Sequence, residues 1–399
     1  MLRVLKLTTY DCSCGIATYA QNLVSGLSSI GCEVEVYPLP ERKDLVDFDD
    51  DDITEILDRF VDKAIRYRYD AVHIQHEYGL FMGGGEMADS IIRFGYLLKR
   101  LNKAKVRTIV TFHTGPEIFY EAADMWRTIK RDWGFIVDRL LTRIWNREVV
   151  PWFQPRYDCS AIVHVNNTRK HMLHAGIHPD NVTVVPHGVI DRRLEFTPID
   201  PAGVVNLSIF GFISSYKGYH TAMRALRLLP DNYTLTCMGG RHPNSKGSEY
   251  TDILEFATNL DRERSEHRWG DVYTAVKNRI RITGFLTEQQ ADAEHGNTQI
   301  CLVPYEAENF SGSGALTWSM TSGKPVIASN IPAFETLNEE HRCMHLFNRE
   351  EPEELAWAIK RVVNDVELQR SLTRNASKYC TDNSWKEIGR RHKGLYNCK

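Results

Sequence analysis

The chain has 399 residues, 42% of them hydrophobic and 25% charged, with a formal net charge of -3 at pH 7. These values describe a soluble globular protein long enough for two or three domains, and they exclude a global electrostatic pull toward nucleic acid. The nine cysteines form no paired framework, which points to a reducing compartment. The opening "MLRVLKLTTYD" reaches Asp11 before any apolar stretch of signal-peptide length, and no later window offers about eighteen uninterrupted apolar residues. The expectation is a cytoplasmic protein that does not span a membrane.

In chain order, "RVLKLTTY" alternates like a strand, "DCSCG" turns, "IATYAQNLVSGLSSIG" has helical spacing, and "EVEVYPL" is a second strand. The same rhythm recurs at "YDAVHIQHE", "VRTIVTFHT", "CSAIVHVN" and "VTVVPHG", which predicts a parallel α/β sheet. Near residue 190 the charged, proline-bearing "VIDRRLEFTPIDPAG" suits a linker. A second series follows: "VVNLSIFGF", the helix "GYHTAMRALRLL", then strands "YTLTCMGG", "RIRITGF", "TQICLVPY" and "PVIAS". The predicted domains are residues 1–200 and 201–383, with a last helix over 384–399. Two open α/β domains in series bind a ligand in a cleft, at the carboxyl ends of their strands.

The chemistry-bearing residues fall at those ends. Gly15 follows the first strand, His113 follows "TIVTF", Lys217 sits in the turn after "LSIFGF", and residues 311–315, "SGSGA", open a helix after "CLVPY". A glycine turn allows close approach to phosphate, a lysine neutralises its charge, and a helix start adds N–H donors and dipole. Together they describe a diphosphate site.

Other features have plainer readings. The acidic run over residues 47–52 leads into a helix whose dipole favours it there, so calcium is not expected. His171, His174 and His178 have zinc-like spacing without a supporting cysteine or acid. Cys12 and Cys14 lack the spacing of a redox pair. His76 and Glu77 are candidates to line an acceptor cleft. Residues 126–152 mix tryptophans and arginines over an apolar stripe, a pattern that suits a membrane surface as well as ordinary core packing.

The ordered stretches "CGIATYAQNLVSGL", "DAVHIQHEYGLF", "TIVTFHTG", "VTVVPHGV", "IFGFISSYKGYHTAMRAL", "RITGFL", "CLVPYEAENFSGSGALTWSMTSGKPVIAS" and "SWKEIGRRHKGLYN" resemble the retaining glycosyltransferases of family 4. The resemblance covers nearly the whole chain. It implies the GT-B architecture, two Rossmann-like α/β domains facing each other across a cleft, with the C-terminal helix crossing back to the first. It implies an N-terminal domain that receives the acceptor and a C-terminal domain that binds a nucleotide sugar. Residue by residue, Gly15, Lys217, Ser313, Gly314 and Ala315 match positions at the donor diphosphate. His113 matches the histidine beside the transferred sugar, and Thr283, Gly284, Phe285 and Leu286 match the segment beside the base.

The sequence departs from the family in two places. Phe212 follows Gly211 where an arginine is common. Of two glutamates usual ahead of the Gly-x-Pro turn, the second position holds Trp318 and the first Phe310. Glu306 and Glu308 are shifted from that pattern, and Glu308 is the candidate for the donor sugar hydroxyls. The expected activity is that of a retaining, metal-independent hexosyltransferase with no cofactor. It would move sugar from GDP-mannose or a UDP-sugar to a glycan, lipid-linked or other glycoconjugate acceptor, with peripheral contact at the inner membrane face. The alternatives are a degenerate sugar-nucleotide-binding module and another sugar-nucleotide enzyme, such as an epimerase, on the same fold.

Overall fold

The computed structural model describes residues 1–12, 15–40, 50–116, 133–191, 196–241, 248–260, 277–307 and 313–397. The chain divides into two compact units, one containing Met1–Gly188 and Asn383–Lys399, the other Val189–Glu308 and Ser313–Asp382.

The first unit alternates β1 (Leu2–Thr8), α1 (Gly15–Ser28), β2 (Cys32–Pro38), α2 (Asp50–Tyr67), β3 (Ala71–His76), α3 (Met87–Lys103), β4 (Thr108–Phe112), α4 (Trp133–Glu148), β5 (Cys159–Val163), α5 (Asn166–His174) and β6 (Val182–Val184). The strands form one parallel sheet in the order β2-β1-β3-β4-β5-β6. Because side chains alternate across a strand, the two faces take different residues. Leu5, Leu7, Val72, Ile74, Val110 and Phe112 face a core completed by Phe60 of α2 and by Phe94 and Leu97 of α3. On the other face Val4, Ala71, Ile109 and Ile162 meet Tyr19, Leu23 and Leu27 of α1. Two residues further along the strands that second face turns polar, with Lys6, His73, Gln75 and Thr111 all fully buried. Register places Lys6 beside His73 and Gln75 beside Thr111.

The second unit runs β7 (Val205–Phe210), α6 (Tyr219–Arg227), β8 (Tyr233–Met238), α7 (Ser248–Asn259), β9 (Ile280–Ile282), α8 (Glu288–Gly296), β10 (Ile300–Val303), α9 (Gly314–Met320), β11 (Val326–Ser329), α10 (Pro332–His341), β12 (His345–Phe347), α11 (Pro352–Asn364) and α12 (Val366–Asp382). Its sheet is also parallel, in the order β12-β11-β10-β7-β8-β9. Strand order therefore reverses between β7 and β10, as it does between β1 and β3 in the first unit. Such a reversal opens a crevice beyond the carboxyl ends of the strands, where ligands of doubly wound sheets bind. The stretch after Gly188 is fastened where it is described, since the buried Ile199 donates its N–H to Gln369 Oε1 at 3.0 Å. β12 is an element the sequence pattern does not announce, being three residues long with a histidine in it.

The last helix, α13 (Trp385–Asn397), belongs to the first unit and packs on α1. The two backbones touch, for a Cβ on Gly26 would lie 2.2 Å from the Trp385 carbonyl oxygen. Lys393 donates to the Ile30 carbonyl at 3.0 Å, and Arg107 donates to the Leu395 carbonyl near the helix end, where the dipole favours a cation.

Candidate active site

The turn after β7 is built around a buried lysine. Gly211 leaves the strand with φ +112°, and Gly218 ends the short turn Ser215–Lys217 with φ +69°, both in the region that L side chains avoid. Gly218 also lies against β10's exit, since an added Cβ would sit 1.8 Å from the Pro304 carbonyl oxygen. This path turns Lys217 inward, where it is 5% exposed. A Cβ on Gly211 would stand 2.6 Å from Lys217 Nζ and 3.7 Å from the Ala315 methyl. The ammonium thus lies directly over the Gly211 backbone and near the start of α9. These segments leave β7 and β10, the two strands that flank the reversal.

A hydrogen-bonded chain holds the lysine. Lys217 Nζ donates to the Tyr305 hydroxyl at 3.2 Å, and Tyr305 and Ser313 Oγ are 2.9 Å apart. Burial pushes the Tyr305 phenol up to about 12, so it keeps its proton, and either hydroxyl can donate in the Tyr305–Ser313 pair. Ser313 Oγ also accepts the Leu316 N–H at 3.1 Å as the helix N-cap, and its carbonyl accepts the Thr317 N–H. The first-turn residues Gly314 and Ala315 follow it at the helix start. Burial lowers the Lys217 ammonium from its usual value, opposed by the field of Tyr216. An anion arriving here restores the charge that desolvation disfavours.

The other residues of this unit sort clearly. Thr283 donates its N–H to the Cys237 carbonyl at 3.1 Å, Gly284 has φ +72°, and Leu286 is half-buried. Phe285 is 59% exposed and meets Phe212 edge-on with centroids 5.5 Å apart. Phe212, which stands in the arginine's place, is therefore part of an aromatic pair. Trp318 stacks on Phe210 at 4.1 Å and meets His295 edge-on at 4.3 Å, so it packs on the sheet. Glu306 accepts from Thr221 Oγ1 at 2.9 Å, which fixes its carboxylate beside α6. Glu308, the candidate for the sugar hydroxyls, lies outside the described residues, as do Ser311 and Gly312.

In the first unit Gly15 begins α1, and a Cβ there would have nothing within 4 Å. His113 follows β4, donates its N–H to the His76 carbonyl, and has Nε2 2.5 Å from Gln75 Oε1. Burial first, then the fields of His164, His187, Lys6 and His76, hold its imidazole well below the usual value. Glu77 caps the turn at Tyr78 and accepts from Thr114 Oγ1 at 2.5 Å. The expectation that His76 lines an acceptor site is not met. Its ring is 0% exposed among Tyr78, Phe81, Phe94 and Phe112, because the strand ends there inside the apolar face. Sequence reasoning missed Tyr19, His164 and His187. The Tyr19 ring lies 4.9 to 5.3 Å from those of His113, His164, His187 and Trp385. The signal was present in the strand-end histidines of "IVHVN" and "VVPHG".

Among the described residues no three His, Cys, Asp or Glu side chains gather as a metal site. His171 Nδ1 is instead 3.0 Å from the Asn167 carbonyl oxygen, and His178 Nδ1 accepts the Asp180 N–H. No described helix is long and apolar enough to cross a membrane.

Residues 14–193 match the family described as Glycosyltransferase Family 4, and residues 206–365 match that described as Glycosyl transferases group 1. The chain is similar in fold to HepE of Anabaena, solved in complex with UDP-glucose, at 14% identity and TM-score 0.66 over 100% of both chains. Sucrose-phosphate synthase of Thermosynechococcus elongatus is 16% identical with TM-score 0.67, over 99% of this chain and 98% of that one. A glycosyltransferase of Rickettsia africae is 16% identical with TM-score 0.69, over 99% and 97%. No curated protein sequence matches the chain. The shared fold is GT-B, and with both halves matched the chain belongs to the glycosyltransferases of family 4.

Proposed function

We propose that the protein transfers a hexose from a nucleoside-diphosphate sugar to an acceptor hydroxyl, with retention at the anomeric carbon and without a divalent metal. The observation that carries this reading is the buried Lys217 ammonium, set over Gly211 and tied through Tyr305 to Ser313 at the reversal of strand order. Breaking a glycosyl-phosphate bond builds negative charge on the departing diphosphate. Lys217, the Ser313 hydroxyl and the amides of Gly314 and Ala315 are preorganised donors for that charge, and Gly15 leaves room for the phosphate's approach.

The nucleoside base would lie on Thr283, Gly284, Phe285 and Leu286, with Phe212 completing an aromatic wall. His113 serves the transferred sugar as a neutral hydrogen-bonding group. The acceptor attacks on the face the diphosphate leaves, and the leaving phosphate oxygen takes the acceptor's proton. The first unit receives the acceptor. Its helix α4 exposes Ile136, Val137 and Leu140 beside Arg139, Arg143 and Arg147, a composition that supports contact with an anionic membrane surface and a lipid-linked acceptor.

HepE, with its UDP-glucose, favours a UDP-sugar donor, and the family resemblance extends the choice to GDP-mannose. The test is slow hydrolysis of UDP-glucose and GDP-mannose in excess EDTA, followed by proton NMR of the first sugar released. The α anomer is the expected product. The β anomer contradicts retention, and turnover abolished by EDTA contradicts metal independence.

A further inference from the structure

The sheet face beneath α1 and α13 holds more titratable side chains than sugar transfer by the groups above requires. His113 Nε2 is 2.5 Å from Gln75 Oε1, and the Gln75 amide nitrogen is 3.2 Å from His73 Nε2. His73 Nδ1 is in turn 2.6 Å from the Tyr396 hydroxyl of α13 and 3.3 Å from Lys6 Nζ. Lys6, His73 and Gln75 are fully buried and Tyr396 nearly so, which keeps water out of every link behind His113.

Chemistry constrains the direction of each link. An amide oxygen only accepts and an amide nitrogen only donates. His113 must therefore carry a proton on Nε2. His73 must accept on Nε2, where Thr111 Oγ1 is also close at 2.8 Å, and hold its own proton on Nδ1. That proton meets the Tyr396 oxygen or the lone pair of a neutral Lys6.

We propose that Gln75 and His73 are positioning residues for transfer: they hold His113 as its Nε2–H tautomer, with Nδ1 as the ring's acceptor toward a donor-sugar hydroxyl, and they link that state to α13 through Tyr396. The proposal rests on the reading of His113 as the group beside the transferred sugar. The titratable groups around His113 are Lys6 of β1, Tyr19 of α1, His73 and His76 of β3, and His164 and His187 after β5 and β6. Around His73 they are Lys6, His113, His392 and Tyr396. The neighbouring carboxylate, Glu77, is engaged by Thr114 and the Tyr78 amide. Burial and mutual repulsion keep both imidazoles neutral, and a neutral ring has one donor and one acceptor nitrogen. With the Gln75 amide turned over every link would reverse and His113 would carry its proton on Nδ1.

The test is nitrogen-15 NMR of the full-length chain labelled at histidine, with the His113 signals assigned by their loss in His113→Gln. The expected wild-type spectrum at pH 7 shows a protonated Nε2 and an unprotonated Nδ1 for His113, with the second proton added only below the usual imidazole range. In Gln75→Glu the carboxylate accepts from Nε2 and favours the cation, so His113 should gain its second proton at a higher pH than in wild type. The acid limb of kcat for donor hydrolysis should move up with it, while KM for UDP-glucose or GDP-mannose stays within about twofold. A wild-type His113 protonated on Nδ1 overturns the proposal, and so does a Gln75→Glu chain whose His113 titrates as in wild type. If Gln75→Glu fails to fold, the wild-type spectrum still decides the tautomer. Nucleotide binding through Lys217 is read separately, so loss of the donor-site reading and loss of this proposal are distinguishable.

Discussion

The carboxyl ends of the two sheets are furnished in opposite ways. In the second unit they carry one buried ammonium, that of Lys217, over the Gly211 backbone and near Ala315 at the start of α9. In the first unit the same region is filled by imidazoles and phenols, with His113, His164 and His187 around Tyr19 and His73 behind them. A diphosphate calls for charge and exposed N–H groups, whereas a sugar hydroxyl calls for neutral donors and acceptors. Under the proposed function each unit supplies one of these chemistries, and each can be broken without the other.

The largest expected effect falls on the second unit. Lys217→Ala removes the preorganised cation at the departing diphosphate, and loss of a single such donor lowers turnover by about 10²–10³-fold. Donor hydrolysis at saturating nucleotide sugar measures it, and a loss below tenfold would mean that another group carries the charge.

Acid should act chiefly on the first unit. Burial drives His76, His164 and His392 down to about 3 and His187 to about 4. Between these values and about 6.5 the unfolded chain binds more protons than the folded one, so stability is full above about 6.5 and falls as the pH drops toward 4. Each imidazole that stays neutral contributes a loss of about 1.4 kcal/mol per pH unit in that window. Lys6, also lowered by burial, adds the same sign below the ordinary lysine value. His76→Phe removes a ring with no side-chain hydrogen bond, so it should flatten the profile by one such increment and leave donor turnover unchanged. Urea titrations between pH 7 and 5 measure both slopes, and equal slopes would refute the assignment.

Two glycines sharpen the contrast at smaller scale. Gly218→Ala forces a side chain to φ +69° and onto the Pro304 carbonyl, at a cost of about 1–3 kcal/mol or more. Gly15→Ala meets open space, so its melting temperature should hold while turnover drops if the donor phosphate approaches there. Unchanged turnover in Gly15→Ala would remove Gly15 from the site. The smallest effect is expected at α4, where Leu140→Glu should halve co-sedimentation with anionic phosphatidylglycerol vesicles. A wild-type chain that ignores such vesicles would end the membrane reading.

Most of the architecture was legible in the sequence because parallel strands buried on both faces read as short apolar runs with glycine turns after them, as "TIVTF" and "LSIFGF" do. β12 was not, since three residues containing His345 carry no periodicity. The strand-end rule also singled out Lys217 and His113, which do follow strands β7 and β4, but it could not tell which side of a strand end a side chain takes. His76 shows the consequence, one residue of β3 turning into the apolar core while Gln75 before it faces His113. The missing glutamate at Trp318 was visible as a departure, but its partner Phe210 lies over a hundred residues away and only folding brings them together. The buried line from Lys6 to Tyr396 was hidden for the same reason.

The central claim is that the second unit binds a nucleoside diphosphate through Lys217. Thermal unfolding with UDP, GDP, ADP and CMP, for wild type and Lys217→Ala, tests it most directly. A ligand at a hundred times its dissociation constant should stabilise the wild type by about 2.7 kcal/mol. The account predicts that one of the nucleoside diphosphates does so and that Lys217→Ala loses the shift. Equal shifts in both proteins would contradict the role of Lys217, and no shift with any nucleotide would contradict the donor site.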